Sequence, residues 1–189
     1  MNAADIPEAL VCANATEWET WLAHQHRQVA EIWLVIARKG FESEGLVIGD
    51  ALDMALCFGW IDSHRKGRDK RSYLQRYSPR RPRAPWSQLN VERANALINN
   101  GRMREAGLIE ILAAQADGRW AAAYAPQADA ATPTDLEAAL NASAPSADAF
   151  DRLSKSARYA LILPILKAVS PEARARRVQK ALETLAALT

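Results

Sequence analysis

Residues 58–87 read FGWIDSHRKGRDKRSYLQRYSPRRPRAPWS, and this stretch decides how the first half of the chain folds. Two runs of alternating side chains, residues 60–66 and 72–78, are separated by a short link that contains Gly67 and Asp69. Two alternating runs joined by such a link predict an antiparallel β-hairpin. Three prolines at 79, 82 and 85 then predict an extended connection, because proline donates no ladder hydrogen bond.

Positive charge is concentrated in the same stretch. Between Arg65 and Arg83 there are nine basic residues and one acid, Asp69. Taking these nine from the 24 basic residues, and the one from the 22 acidic residues, leaves 15 basic against 21 acidic. The net charge of +2 therefore conceals a basic segment in an otherwise acidic protein. Such segregation favours an anionic partner for one face of the molecule.

Helical patterns surround the predicted hairpin. Thr16 and Glu19 have capping-box spacing before a helix, and residues 31–37, EIWLVIA, predict a buried strand. A later helix, from about 103 to 116, carries Ile109, Leu112 and Ala113 on one face. We therefore predict an α+β fold, in which a small antiparallel sheet packs with several helices and is followed by a C-terminal helical segment.

The domain organisation follows from one change in composition. Residues 125–134, APQADAATPT, are rich in alanine and proline and have no periodicity, which is typical of a linker. We predict an N-terminal α+β region with the basic aromatic hairpin over residues 15–125 and a C-terminal helical region over 134–189. In the latter, Ser170 and Pro171 predict the start of the last helix, and Pro164 predicts a kink or a split in the helix before it.

Cysteine usage and hydropathy indicate the compartment. Cys12 and Cys57 are too few for a disulfide framework or a zinc cluster, so two free thiols in a reducing compartment are expected. The N-terminus lacks the basic and apolar regions of a secretory signal. No apolar run approaches the roughly 20 residues that cross a bilayer. The expected location is the cytoplasm.

Several longer motifs resemble a known family. ALDMALCFGWIDS, SYLQRYSPRRPRAPWSQLNVERANALI, GRMREAGL and SPEARARRVQKALETL are similar to the YdeI/OmpD-associated family of bacterial proteins, also called the bacteriocin-protection family. The resemblance extends from about Trp18 to Leu185, and the part from about Thr134 looks like the helical region that defines the family. It implies an association with resistance to cationic peptides or bacteriocins and with an outer-membrane porin. It supplies no catalytic residues, and Pro164 departs from the pattern.

The predicted ligand-binding site lies on the hairpin and the connection after it. Arginine forks bind carboxylates and phosphates, and aromatic rings provide platforms for stacking. The candidate residues are Trp60, Asp62, His64, Tyr73, Arg76, Tyr77, Arg80, Arg81 and Trp86. Of these, Trp86 is the tryptophan expected to be partly exposed. The alternative is that the arginines stack on rings and bond to acids of the same chain.

Two further interpretations remain open. Asp62 and His64 are two apart on a predicted strand and would share a face, so a small-molecule enzyme could use them for proton transfer with Arg76 holding a substrate anion. A nucleic-acid binder is also compatible with the basic segment, although the signatures of nucleic-acid-binding folds are absent.

The sequence favours a non-enzymatic protein that binds an anionic small molecule or an acidic protein surface. No phosphate loop, nucleophile elbow, HExxH or CxxC motif is present, so no cofactor is predicted. Three histidines are too few to predict a metal site. The oligomeric state stays open.

Overall fold

The computed structural model describes residues 8–188, which form two compact units. The first comprises the described residues up to Ala84 together with Glu92–Asp117. The second comprises Pro85–Val91 together with the described residues from Gly118 onward. The predicted division into 15–125 and 134–189 stays a prediction. The predicted absence of a secretory signal rests partly on residues 1–7, which lie outside the described residues.

The first unit contains a four-stranded sheet and helices. Its elements are β1 (Ala9–Leu10), α1 (Ala15–Gln25), β2 (Ile32–Ala37), a 3-10 helix (Glu42–Glu44), α2 (Ile48–Cys57), β3 (Trp60–Gly67), β4 (Ser72–Pro79), most of α3 (Gln88–Asn99) and α4 (Glu105–Ala116). The strand order is β1-β2-β4-β3. The pairs β2–β4 and β4–β3 are antiparallel, and the two-residue β1 runs parallel to β2. The predicted hairpin is therefore confirmed.

Helix α1 begins two residues earlier than the predicted capping box. The Asn14 side chain accepts a hydrogen bond from the Glu17 amide at 3.1 Å, and Glu17 Oε2 accepts one from the Ala13 amide at 2.8 Å. The pair at 14 and 17 thus satisfies the free amides at this helix start. The Thr16–Glu19 capping box was wrong, because Thr16 already lies inside the helix, where its carbonyl accepts from the Thr20 hydroxyl.

Helix α4 approaches α2 through a glycine. A Cβ atom at Gly107 would lie 2.6 Å from both the Leu56 and the Cys57 carbonyl oxygens, so only glycine fits there. This close approach buries Gly107, Ile111 and Ala114. It turns the predicted face of α4 outward: Ile109 is 54% exposed and Leu112 is 61% exposed.

The second unit contains helices α5 (Thr134–Asn141), α6 (Ala144–Asp151), α7 (Lys155–Leu166) and α8 (Pro171–Ala186). Their core includes Leu136, Phe150, Ile165 and Leu185. The predicted start of the last helix is confirmed, since the Ser170 hydroxyl accepts from the Ala173 amide at 3.2 Å. Helix α7 continues through Pro164, so the predicted split does not occur.

Eight helices and one four-stranded sheet among the described residues confirm the predicted α+β class with a C-terminal helical segment. The described residues include no helix that is both long and apolar enough to cross a membrane.

Candidate functional site

The exposed end of the β3–β4 hairpin is strongly basic. We call residues 63–71 the hairpin tip; all nine of them are exposed. The tip carries five full positive charges and a single carboxylate, Asp69. That carboxylate organises the turn, because Asp69 Oδ1 accepts from the Arg71 and Ser72 amides at 2.8 and 2.7 Å and Oδ2 accepts from the Ser72 hydroxyl at 2.9 Å. These hydrogen bonds, led by that of the Arg71 amide, lower the pKa of Asp69.

A β-bulge divides the predicted site between the two faces of the sheet. Asp62 lies opposite Tyr77, whereas Arg65 lies opposite Gln75, so two residues of β3 face one residue of β4 between these pairs. The extra residue shifts the alternation along β3. Asp62 and Arg65 therefore share one face of the sheet, and His64 lies on the other.

The inner face gathers four of the predicted site residues, Trp60, Asp62, Tyr73 and Tyr77. The three aromatic rings are buried, and Trp18 of α1 lies against two of them, with ring centroids 5.7 Å from Tyr77 and 6.5 Å from Trp60. The Trp60 indole donates to the His26 carbonyl at 3.2 Å. These rings form the core between the sheet and α1. They are not open stacking platforms for a ligand.

Polar groups also lie on this inner face, namely the Asp62 carboxyl group and the Tyr77 hydroxyl. Burial raises the pKa of Asp62, although its own backbone amide and the Arg65 and Arg80 charges act in the opposite direction. Burial also raises the pKa of Tyr77, whose hydroxyl has no hydrogen-bond partner among the described residues. The predicted site residue Arg80 is itself buried.

The outer face carries His64 and Arg76. Arg76 forms an ion pair with Glu31, and its Nη1 lies 3.5 Å from His64 Nδ1. The expectation that Asp62 and His64 share a face was wrong, because the bulge reverses the alternation between them. The structure therefore does not bring the predicted pair, Asp62 and His64, together with Arg76 on one side of the sheet.

Arg81 and Trp86 lie beyond the hairpin. Arg81 is exposed. Trp86 belongs to the second unit, where it is 2% exposed and its ring centroid is 4.8 Å from that of Trp120. The expectation that Trp86 is partly exposed was wrong. Its neighbours Pro85 and Ser87 suggested a loop, but the Trp86 carbonyl accepts from the Tyr124 amide at 3.0 Å and fixes the segment.

Several tip cations are held by groups of the same chain. The Arg65 guanidinium lies 4.1 Å from the Tyr73 ring centroid and donates to the Tyr73 hydroxyl at 3.3 Å. Arg71 donates to both oxygens of Glu44, at 3.1 and 3.2 Å. Arg68 is held more loosely, with the Ser72 hydroxyl at 3.4 Å. These three arginines were not on the predicted list. Their position on the charged turn was the available signal.

A cavity of about 430 Å³ lies beside the hairpin tip. It is lined by Val11, Cys12, Ala13, Glu17, Val35, Ala37, Glu44, Gly45, Arg68, Asp69, Arg71 and Ser72. The lining contains three carboxylates and two guanidinium groups, so its balance of charge does not favour a free anion. The exposed tip, with five cations to one carboxylate, is the more favourable place for an anionic group.

Metal-ligating groups do not gather anywhere in residues 8–188: no three His, Cys, Asp or Glu side chains are placed to hold one ion. Cys12 and Cys57 are both buried free thiols. Burial, the larger cause in each case, raises the pKa of each thiol to about 11. A buried neutral thiol is a poor nucleophile.

Comparison with known families divides the chain as well. Residues 10–110, more than half of the chain, match the family described as a domain of unknown function (DUF8412), and the protein belongs to that family. Residues 129–187 match the family described as Bacteriocin-protection, YdeI or OmpD-Associated. No curated protein and no solved structure matches the chain.

The predicted resemblance to the bacteriocin-protection family is thus confirmed, but over a shorter range than expected. The match covers the C-terminal helices. The FGWIDS and YLQRYSPRRP motifs lie in the part that matches the domain of unknown function. The protein is therefore YdeI-like in its C-terminal region.

Proposed function

We propose that this is a non-enzymatic cytoplasmic protein of the bacteriocin-protection type, which binds an anionic ligand or an acidic partner surface through the hairpin tip. The observation that carries the proposal is that all nine residues 63–71 are exposed and that their net charge is positive. The one carboxylate of the tip, Asp69, is already occupied by the turn. An approaching anion therefore meets a net positive surface.

The proposed binding surface, the hairpin tip, differs from the aromatic stacking site predicted from the sequence. Tyr73 and Tyr77 support the hairpin from its buried face, and Arg65 is positioned by Tyr73. Lys70 and Arg68 extend from the turn and supply charge; the Arg68 Nε lies 3.9 Å from an Asp69 carboxylate oxygen, in an exposed ion pair that contributes little. The family match of the C-terminal helices supports the bacteriocin-protection class.

A labelled oligoglutamate peptide tests the proposal. Fluorescence anisotropy at low salt would measure its affinity for the wild-type protein, for the tip variant Arg68→Gln with Lys70→Gln, and for a control variant Arg152→Gln with Arg176→Gln. The control removes two exposed cations from the second unit and so matches the change in net charge. Circular dichroism would verify that all three proteins fold.

We expect the tip variant to lose about tenfold in affinity, the control to lose less than twofold, and wild-type binding to weaken as salt rises. Equal losses in both variants would mean that only net charge matters, and absence of binding at low salt would end the proposal. Tighter binding of a random-sequence oligonucleotide than of the peptide would support the nucleic-acid interpretation instead.

A further inference from the structure

A small cavity lies between α7 and α8 in the second unit, in the region that matches the bacteriocin-protection family. Its volume is about 210 Å³. Its walls include the apolar residues Ala160, Leu161, Pro164 and Ala181, and the exposed cations Arg177 and Lys180, which we call its rim, complete the charged part of the lining. The cavity thus combines apolar walls with two positive charges.

Pro164 and small side chains create this space. Proline has no amide hydrogen, so the Ala160 carbonyl receives no hydrogen bond from position 164. Alanines at 160 and 181 leave the interval between the helices unfilled. The Pro164 carbonyl accepts from Arg177 Nη1 at 2.5 Å, which fixes the guanidinium beside the cavity.

The positive charge at this rim has no carboxylate in the cavity lining. Arg174, one turn earlier on α8, is different, because Asp135 accepts from its Nε and Nη2 at 2.6 and 2.9 Å. Burial, and after it the Arg177 charge, lower the pKa of Lys167, which follows the end of α7.

We infer that this cavity binds a carboxylate carried on a short aliphatic chain. The apolar walls would take the chain, and Arg177 and Lys180 would take the carboxylate. A volume of 210 Å³ holds about seven groups of the size of water, which corresponds to a chain of about six carbons. The inference is independent of the hairpin tip, so either proposal can fail alone.

Hexanoate is the probe, and hexylamine and hexanol are its matched cationic and neutral controls. Titrations followed by amide chemical shifts in ¹H–¹⁵N spectra of the full chain would measure binding and locate it. We expect saturable binding of hexanoate, with shifts concentrated in residues 160–184, and weaker binding of both controls. Butyrate should bind more than tenfold less tightly, because each buried CH₂ contributes about fourfold.

Two variants separate the two parts of the site. Lys180→Gln should weaken hexanoate at least severalfold and leave hexanol unchanged, and Ala160→Leu should block both by filling the cavity. Both positions are exposed, so both variants should fold. Arg176→Gln, on an exposed position of α8 that does not line the cavity, is the control and should bind as wild type.

Equal affinity for hexanoate and hexylamine would overturn the inference, as would unchanged binding in Ala160→Leu. If Ala160→Leu does not fold, the Lys180→Gln result decides: equal hexanoate binding in Lys180→Gln and Arg176→Gln overturns it. The tip variant Arg68→Gln with Lys70→Gln should bind hexanoate normally.

Discussion

Replacing Tyr77 by phenylalanine should stabilise the protein. The side chain is fully buried, and its hydroxyl has no hydrogen-bond partner among the described residues. A buried hydroxyl that has lost its hydrogen bonds to water costs about 1–3 kcal/mol. Phenylalanine keeps the ring against Trp18 and removes only the oxygen. We expect the free energy of unfolding to rise by about 1 kcal/mol, which corresponds to an increase in Tm of about 2–4 °C for a chain of this length.

Tyr73→Phe is the matched control for this experiment. Tyr73 lies four residues earlier on the same face of β4 and is also buried, but its hydroxyl accepts a hydrogen bond from Arg65 Nη2 at 3.3 Å. The same substitution there removes a bond to a charged donor and should lower stability by about 1 kcal/mol. The two variants therefore differ in the sign of their effect.

Thermal and urea denaturation followed by circular dichroism would measure both changes at pH 7. Tyr77→Phe should also leave oligoglutamate affinity at the hairpin tip unchanged, because its ring lies in the core. A loss of stability in Tyr77→Phe equal to that in Tyr73→Phe would refute the reasoning, since it would mean that the Tyr77 hydroxyl has a strong partner.

Two further changes test the packing and the charges. Gly107→Ala should destabilise the protein by about 1–3 kcal/mol, because the new methyl group would lie 2.6 Å from two backbone carbonyl oxygens. Gly49→Ala is the control: it lies in a helix with nothing within 4 Å of the new atom, so it should stabilise the protein by about 0.5–1 kcal/mol. Similar melting curves for the two variants would contradict the close approach of α4 to α2. Asp135→Asn should lower Tm at pH 7. Burial raises the pKa of Asp135, but the hydrogen bonds and charge of the Arg174 guanidinium outweigh burial and hold this pKa below the ordinary 3.8. The ion pair therefore stabilises the folded protein fully above pH 3.8, and this stabilisation is lost as the pH falls further. A difference in Tm between Asp135→Asn and wild type that persists unchanged at pH 2 would exclude this ion pair as its cause.

The elements of the hairpin could be predicted because their signals are local. Alternating side chains, the turn at Gly67 to Lys70, and the prolines at the end of β4 (Pro79) and beyond it (Pro82 and Pro85) are all read within a few residues of one another. The start of α8 was predictable for the same reason, since Ser170 and Pro171 are adjacent. The bulge could not be predicted from the sequence. Neither Ser63 nor His64 has an unusual side chain, and the extra residue becomes visible only in the pairing of β3 with β4.

The roles of the hairpin residues depend on partners distant in sequence. Trp18 lies 59 positions before Tyr77, and Glu31 lies 45 positions before Arg76, so neither contact is visible in a local pattern. Aromatic residues interleaved with arginine suggested exposed rings on which a ligand could stack. In the structure, the alternation of the strands places these rings on the covered face of the sheet. Most of the positive charges lie instead in the exposed hairpin tip. Similarly, Gly107 turned α4 so that its apolar residue Leu112 faces outward.

The bulge in β3 has a consequence for neighbouring copies of the molecule. β3 is the last strand on its side of the sheet, and its outer edge offers backbone groups to any extended chain. The extra residue at 63–64 breaks the regular spacing of those groups, and Arg65 and Lys66 would meet like charges if two such edges came together. Irregular, cationic edges of this kind discourage sheet extension and aggregation. We therefore expect the bulge that separates Asp62 from His64 also to disfavour edge-to-edge pairing of two copies at high protein concentration.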